Sequence, residues 1–189
     1  MLILITGASG SGTSTLGAAL AKELGIAHLD ADDYYWLPTV PPFTTKRDRA
    51  ERLSSVLRDV QAKQSAVLAG SIMDWGVELE NAFDLIVFLY VEAAIRVERL
   101  RARELERFGM TDPEFLEWAA QYDDGAMSGR SLARHQAWLA ARTCPVFELR
   151  GDLSVGERVK AVVKFMADNA VGRQRRPEAE GDGLSVVGE

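Results

Sequence analysis

A glycine-rich segment near the N-terminus has the residue types and spacing of a phosphate-binding loop. Its glycines let the backbone curl so that successive N–H groups point inward, and a helix starting at its end adds a partial positive charge. The residues expected to bind the phosphates of a nucleotide are Gly7, Ser9, Gly10, Ser11, Gly12, Thr13, Ser14 and Thr15. The Ser14 hydroxyl is placed where a Mg²⁺ ligand is expected. The alternative is a turn that binds nothing, for which three glycines would be costly in flexibility.

Thr13 departs from the common form of such a loop. The pattern G-x-x-x-x-G-K-[ST] places a lysine at this position, and its ammonium group reaches the β- and γ-phosphates. This chain has a threonine hydroxyl there instead. The backbone cradle does not depend on that side chain, so we expect other residues to supply the missing positive charge.

The elements that must position this loop are short apolar runs that alternate with amphipathic segments. Leu16, Leu20 and Leu24 form an aliphatic stripe on the helix after the loop, and Gly25 is expected to end it. Strands are predicted over residues 2–5, 26–29, 66–69, 84–91 and 145–149, and helices over 13–24, 46–63, 93–108, 114–122, 131–142 and 154–169. The alternation predicts an α/β fold with a parallel sheet of about five strands and helices on both faces. The continuously apolar run at 84–91 is typical of a central strand.

Length and composition exclude several classes of protein. The chain has 189 residues, 47% of them hydrophobic, enough for one domain with a full core. A net charge of −6 argues against a general nucleic-acid binder. The longest strongly apolar run, residues 85–91, is too short to cross a membrane. The single cysteine, Cys144, has no disulfide partner in the chain, which fits a cytoplasmic location.

These features together resemble the small-molecule kinase branch of the P-loop proteins. That branch includes nucleoside monophosphate kinases, shikimate and gluconate kinases, and topology modulation proteins. The resemblance covers about residues 1–165 and is carried by the loop at 7–15, by Asp30 and Asp32, and by the arginine-rich helix after the fourth strand. Some cytidylate kinases of this group also have Gly-Thr in place of Gly-Lys.

The resemblance implies a three-layer P-loop fold over residues 1–171, with a helical lid inserted at about 104–134 and with ATP and Mg²⁺ as cofactors. Residues 172–189 are polar, contain glycine and lack periodicity, so we predict a disordered tail. The implied partner is a small-molecule acceptor, with no nucleic acid and no membrane. No motif specifies the acceptor or the oligomeric state.

Two carboxylates follow the second predicted strand and face the phosphate loop in kinases of this kind. By the resemblance, Asp30 lies near the metal together with Ser14. Asp32 accepts a hydrogen bond from the acceptor hydroxyl and acts as the base. Mg²⁺ commonly takes one or two protein oxygens besides phosphate and water, which suits a carboxylate here. An Asx turn or a helix N-cap is the alternative for both residues.

Four arginines recur at steps of three, four and four along one helix face: Arg96, Arg99, Arg103 and Arg107. Val97 and Leu100 of the same helix are predicted to point toward the sheet. By the resemblance, Arg103 matches the arginine at the start of the lid that reaches the transferring phosphoryl group, and Arg130 or Arg134 approaches from the far side. The alternative is ion pairing with neighbouring glutamates, namely Glu92, Glu98 and Glu106.

An aromatic and basic stretch follows the two carboxylates. Its members are Tyr34, Tyr35, Trp36 and Phe43, beside Lys46, Arg47, Arg49 and Arg52. By the resemblance, this stretch closes over the acceptor, and its chemistry suits a planar or anionic molecule. Core packing explains one or two of the aromatic residues equally well, and the basic residues also fit a solvated helix face. His28 and His135 lack metal-ligand spacing, and we predict that neither is catalytic.

We therefore expect an ATP-dependent phosphotransferase that moves the γ-phosphoryl group of Mg·ATP to a small acceptor bearing a hydroxyl or phosphate. The alternative is a nucleotide-binding regulator or degenerate kinase that holds ATP without turnover. Thr13 is the residue that favours this alternative.

Overall fold

A five-stranded parallel sheet with helices on both faces forms the body of the protein, which confirms the predicted fold class. The computed structural model describes residues 1–125 and 129–169. The strands are β1 (Leu2–Gly7), β2 (Ala27–Asp30), β3 (Ala66–Ala69), β4 (Leu85–Tyr90) and β5 (Val146–Arg150), in the spatial order β2-β3-β1-β4-β5. The helices are α1 (Thr13–Leu24), α2 (Ala31–Tyr35), α3 (Arg49–Ala62), α4 (Val77–Glu80), α5 (Ala93–Phe108), α6 (Pro113–Ala120), α7 (Leu132–Ala140) and α8 (Val155–Asp168).

Apolar side chains cover the sheet on both faces. Successive residues of a strand point to opposite sides, so Leu4 joins one core cluster and Ile5 the other. The first cluster packs against α3 through Val56, and the second packs against α1 and α8 through Leu16 and Val162. β1 occupies the middle of the sheet, with β4 beside it as an interior strand. The loop that follows β1 therefore starts at the centre of the sheet, where strands lie on both sides of β1.

Two short helices, α2 and α4, were not predicted from the sequence. Helix α2 begins directly after β2 because the Asp30 carboxylate caps it, accepting a hydrogen bond from the Asp32 N–H at 3.0 Å. Helix α3 begins at Arg49, three residues later than predicted, because the Asp48 carboxylate accepts from the first free N–H groups. The predicted capping box that opens α8 is confirmed at Ser154.

Helix α5 packs differently from its prediction. Val97 and Leu100 pack against α6 instead of the sheet. Arg96 is fully buried, and its guanidinium donates to the Val91 carbonyl at 2.8 Å and the Ala119 carbonyl at 3.0 Å. A buried guanidinium needs an acceptor for its N–H groups, and carbonyls at the ends of β4 and α6 supply them. Arg96 thus joins α5 to α6 and does not form the expected pair with a glutamate.

Residues 172–189, predicted to be a disordered tail, lie outside the described residues. Of the helices in the described part of the chain, none is long and apolar enough to cross a membrane. Cys144 has a free thiol and is partly buried.

Candidate active site

The predicted phosphate loop lies between β1 and α1. Gly10 and Gly12 have φ angles of 82° and 93°, in the left-handed region that favours glycine. A Cβ at position 10 would lie 2.6 Å from the Arg96 carbonyl oxygen, so the loop passes α5 too closely for a side chain. The Ser11 hydroxyl is buried and has no hydrogen-bond partner in the described part of the protein. Buried polar atoms are normally paired, so this orphaned hydroxyl fits a loop that receives a phosphate oxygen.

A cavity of about 290 Å³ opens from this loop. Its walls are the loop and the start of α1, one face of α5, and the segment that joins β5 to α8. Arg99, Arg103 and Arg158 line it, and none of the described residues that line it is acidic. The whole chain has a net charge of −6. A local excess of positive charge in an acidic protein is typical of an anion site.

Arg158 is a cavity residue that the sequence analysis did not single out. Its Nη1 atom donates to the Ser11 carbonyl oxygen at 2.7 Å, so a residue of the last helix contacts the phosphate loop. It lies at a spacing of four residues from Val162 and eight from Met166, both of which are buried. The sequence signal for a buried role of Arg158 was therefore its position on the apolar face of α8.

Asp32 is an exposed residue in the first turn of α2. Crowding by surrounding protein atoms, followed by the charge of Asp30, raises the pKa of this carboxyl, while Arg130 and Arg103 act in the opposite direction. The three residues predicted to be catalytic therefore lie within electrostatic reach of one another. Asp32, Arg103 and Arg130 come from three separate segments of the chain, and Arg103 is the one that lines the cavity described above.

The two residues predicted to serve a metal, Asp30 and Ser14, have different surroundings. One carboxylate oxygen of Asp30 caps α2, so the N-cap alternative describes its observed contact. Ser14 is exposed in the first turn of α1. The described residues include no group of three His, Cys, Asp or Glu side chains able to hold a metal by themselves. A cation here would take most of its ligands from phosphate and water, which is the coordination that Mg²⁺ prefers.

Tyr35, Arg52 and Trp75 form a cationic aromatic cluster that includes the last residue of α2. The Arg52 guanidinium lies 4.3 Å from the Trp75 ring centre and 4.9 Å from that of Tyr35. Arg52 is only 5% exposed, so the solvated-face interpretation is wrong for this residue. Its Nε atom is buried and unpaired within the described residues. Tyr34, by contrast, packs in the core.

His135 belongs to a buried polar network below the phosphate loop. Its Nε2 atom lies 3.0 Å from the Thr6 hydroxyl and its Nδ1 atom 2.8 Å from the Tyr122 hydroxyl. Burial, assisted by the charge of Arg130, lowers the pKa of His135 to about 4. The imidazole is therefore neutral near pH 7, and both ring nitrogens are engaged inside the protein. Because Thr6 directly precedes Gly7, the network joins α7 to the strand that carries the loop.

Comparison with known proteins extends these observations. Residues 3–116 match the AAA domain family. The chain is 44% identical over 177 residues to the uncharacterized protein YqaC of Bacillus subtilis (strain 168). The aligned region covers 88% of this chain and 98% of that protein. A shikimate kinase of Bacteroides fragilis is 32% identical over 133 residues, or 63% of this chain and 74% of the kinase.

A solved structure shares the fold. The shikimate kinase from Bacteroides thetaiotaomicron superposes with a TM-score of 0.60, at 19% identity, over 88% of this chain and 98% of that one. The likeness at this identity concerns the fold.

Proposed function

This chain matches the AAA domain family and belongs to the P-loop small-molecule kinases, and on that premise we propose that it moves the γ-phosphoryl group of Mg·ATP to a small-molecule acceptor. One observation carries the proposal: the Asp32 carboxyl lies within electrostatic reach of Arg103 and Arg130, and Arg103 also lines the cavity that opens from the phosphate loop. Phosphoryl transfer requires a group that orients the attacking hydroxyl, cations for the developing charge and a cradle for the nucleotide.

The phosphate loop is the nucleotide half of the proposed site. The backbone N–H groups of residues 7–15 would bind the phosphates, and the Ser11 hydroxyl would gain the partner that it lacks. Ser14 would hold Mg²⁺ through its hydroxyl, and Asp30 would hold it through water. When bound, the ion neutralises charge on the phosphate oxygens.

Asp32 would act on the acceptor. Its carboxylate takes the proton of the acceptor hydroxyl while the hydroxyl oxygen forms a bond to the γ-phosphorus, and the bond between that phosphorus and the oxygen of ADP breaks. A raised pKa makes the carboxylate a stronger base. The proton ends on Asp32, and the phosphoryl group ends on the acceptor.

Arg103 and Arg130 would stabilise the negative charge that spreads over the phosphoryl oxygens. Arg103 directly precedes the proposed lid at about 104–134, and Arg130 lies near its end. Closure of the lid would bring both guanidiniums to the phosphates. Arg134, the other candidate for the far side, is exposed and forms an ion pair with Asp74 at 3.1 Å. Of these two arginines we therefore assign the role to Arg130.

The cluster of Tyr35, Arg52 and Trp75 would bind the acceptor. An unpaired Nε on a buried guanidinium suits a carboxylate or phosphate, and the two rings add an apolar surface. We propose an anionic acceptor that also carries the reacting hydroxyl. Shikimate, for which the Bacteroides fragilis relative is named, has this chemistry.

A protein that binds ATP without turnover is the second candidate function. Thr13 favours it, since the lysine that normally reaches the β- and γ-phosphates is absent. Such a protein would bind Mg·ATP but release no ADP with any acceptor.

The test is ADP release from the full chain with shikimate, gluconate and nucleoside monophosphates, comparing wild type with Asp32→Asn. We expect turnover to fall by about 10²-fold or more, the scale of losing a general base, while ATP affinity measured by calorimetry changes little. Asp33→Asn is the matched control, because Asp33 is the exposed neighbour on the same helix. Equal loss of ATP binding in Asp32→Asn would place Asp32 at the metal, and ATP binding without ADP release by wild type would favour the second candidate.

A further inference from the structure

Arg158 is held against the phosphate loop and lines the same cavity. Nη1 donates to the Ser11 carbonyl at 2.7 Å, and Nη2 donates to the Gly151 carbonyl at 3.1 Å. The residue is 4% exposed, and its Nε atom is buried without a partner among the described residues. A Cβ at Gly12 would lie 3.1 Å from Nη1. The guanidinium is therefore fixed beside the peptide that leads into α1.

No carboxylate in the described ranges forms an ion pair with Arg158. Asp152 is close enough to influence it, but the Asp152 carboxylate is paired with Arg99, which adds a second positive charge nearby. Two guanidiniums that line the cavity thus lie near one carboxylate, which pairs with Arg99 and is not itself among the described lining residues. Burial of an uncompensated charge is costly, and proteins keep such a charge where a ligand of opposite sign completes it.

We propose that Arg158 supplies the fixed positive charge that the phosphate loop lacks at Thr13, so that the last helix does for the bound polyphosphate what a loop lysine does elsewhere. This inference rests on the proposed binding of ATP. It differs from the role given to Arg103, which is exposed and adjoins the proposed lid. Arg158 is in place before any closure, so the open protein already holds a polyphosphate tightly.

The experiment uses inorganic tripolyphosphate and Mg·ADP as probes, titrated into the full chain by calorimetry. Tripolyphosphate reports on the loop without any contact to a base or ribose. Arg158→Met should weaken both probes by about tenfold or more, the scale of losing a charged hydrogen-bonding group from a binding site. Lys160→Met is the matched control, since it removes the same charge from an exposed position on the same helix, and it should bind as wild type does.

Two further variants separate charge from packing. Thr13→Lys, added to Arg158→Met, should restore most of the lost affinity if positive charge at the phosphates is what Arg158 provides. Arg158→Lys keeps the charge but not the forked guanidinium that reaches both carbonyls. Its affinity for the two probes should lie between the affinities of wild type and Arg158→Met. If Arg158 only braces the Ser11 carbonyl, Thr13→Lys will restore nothing, and the inference is wrong.

Thermal unfolding without ligand shows whether each variant is folded. Arg158→Met leaves the Ser11 and Gly151 carbonyls without this donor, so it should melt somewhat below wild type but still cooperatively, and it should gain less stability from tripolyphosphate. A wild type that binds neither probe would overturn the proposed function itself. A wild type that binds both probes while Arg158→Met binds them equally well would overturn only the assignment of Arg158.

Discussion

His135 should make the stability of this protein fall steeply in mild acid. Its imidazole is fully buried between Thr6 and Tyr122, and burial lowers its pKa from 6.5 to about 4. The unfolded chain therefore binds the proton more tightly than the folded one. Stability from this residue is complete above about pH 6.5 and is lost progressively as the pH falls toward 4.

The magnitude follows from the size of the shift. A difference of about 2.5 between 6.5 and 4 corresponds to about 3 kcal/mol once the folded protein is also protonated. At pH 5 the unfolded histidine is almost fully charged and the folded one almost neutral, so about 2 kcal/mol is already lost. That is a large fraction of the roughly 5–15 kcal/mol typical of a domain.

The assay is urea unfolding of wild type, His135→Gln and His28→Gln between pH 7.5 and pH 5. Carboxylates also titrate as the pH falls, so the informative quantity is the difference between profiles. Wild type should lose about 2 kcal/mol more than His135→Gln over this interval. His28→Gln removes the only other histidine, which is exposed on β2, and should keep the wild-type slope. Parallel profiles for wild type and His135→Gln would show that His135 is not held neutral by burial.

Two further substitutions test the phosphate loop and the lid. Gly12→Val should abolish ATP binding in calorimetry, because position 12 has a positive φ and a Cβ there would press on Arg158. Gly156→Ala is the control and should bind normally, since position 156 is helical and has open space around its Cβ. Retained ATP binding in Gly12→Val would argue against the loop assignment. If Arg103 acts as an arginine finger, Arg103→Ala should lower turnover by about 10³-fold while changing ATP affinity far less. Adding Thr13→Lys to this variant should partly restore turnover. Arg107→Ala, one turn further along α5 and also exposed, is the control, and an Arg103→Ala enzyme with normal turnover would move the role to Arg130.

The candidate site shows which of its parts are visible in a sequence. The phosphate loop was predicted because its glycines lie within a few residues of one another, and Gly10 and Gly12 do have positive φ angles. Asp32 and Arg103 follow from the resemblance to a family, and the structure places them within electrostatic reach of each other. Their catalytic roles stay predictions. For Arg52 the sequence fits a solvated helix face equally well. Its burial depends on Trp75, which lies 23 positions away and which no local pattern indicates.

Periodicity and local motifs by themselves determined the order of the strands and the longer helices, the class of fold, the loop and the capping box of α8, because each depends on contacts within one or two turns of chain. They missed the short helices α2 and α4. Tertiary structure alone decided how the arginines are used. Arg96 is a buried link between helices, Arg99 pairs with Asp152, and Arg158 reaches the phosphate loop across 147 residues. The physical reason is that the environment of a charge is set by what packs around it. A guanidinium has the same sequence signature whether water, a carboxylate or the backbone of a phosphate loop surrounds it.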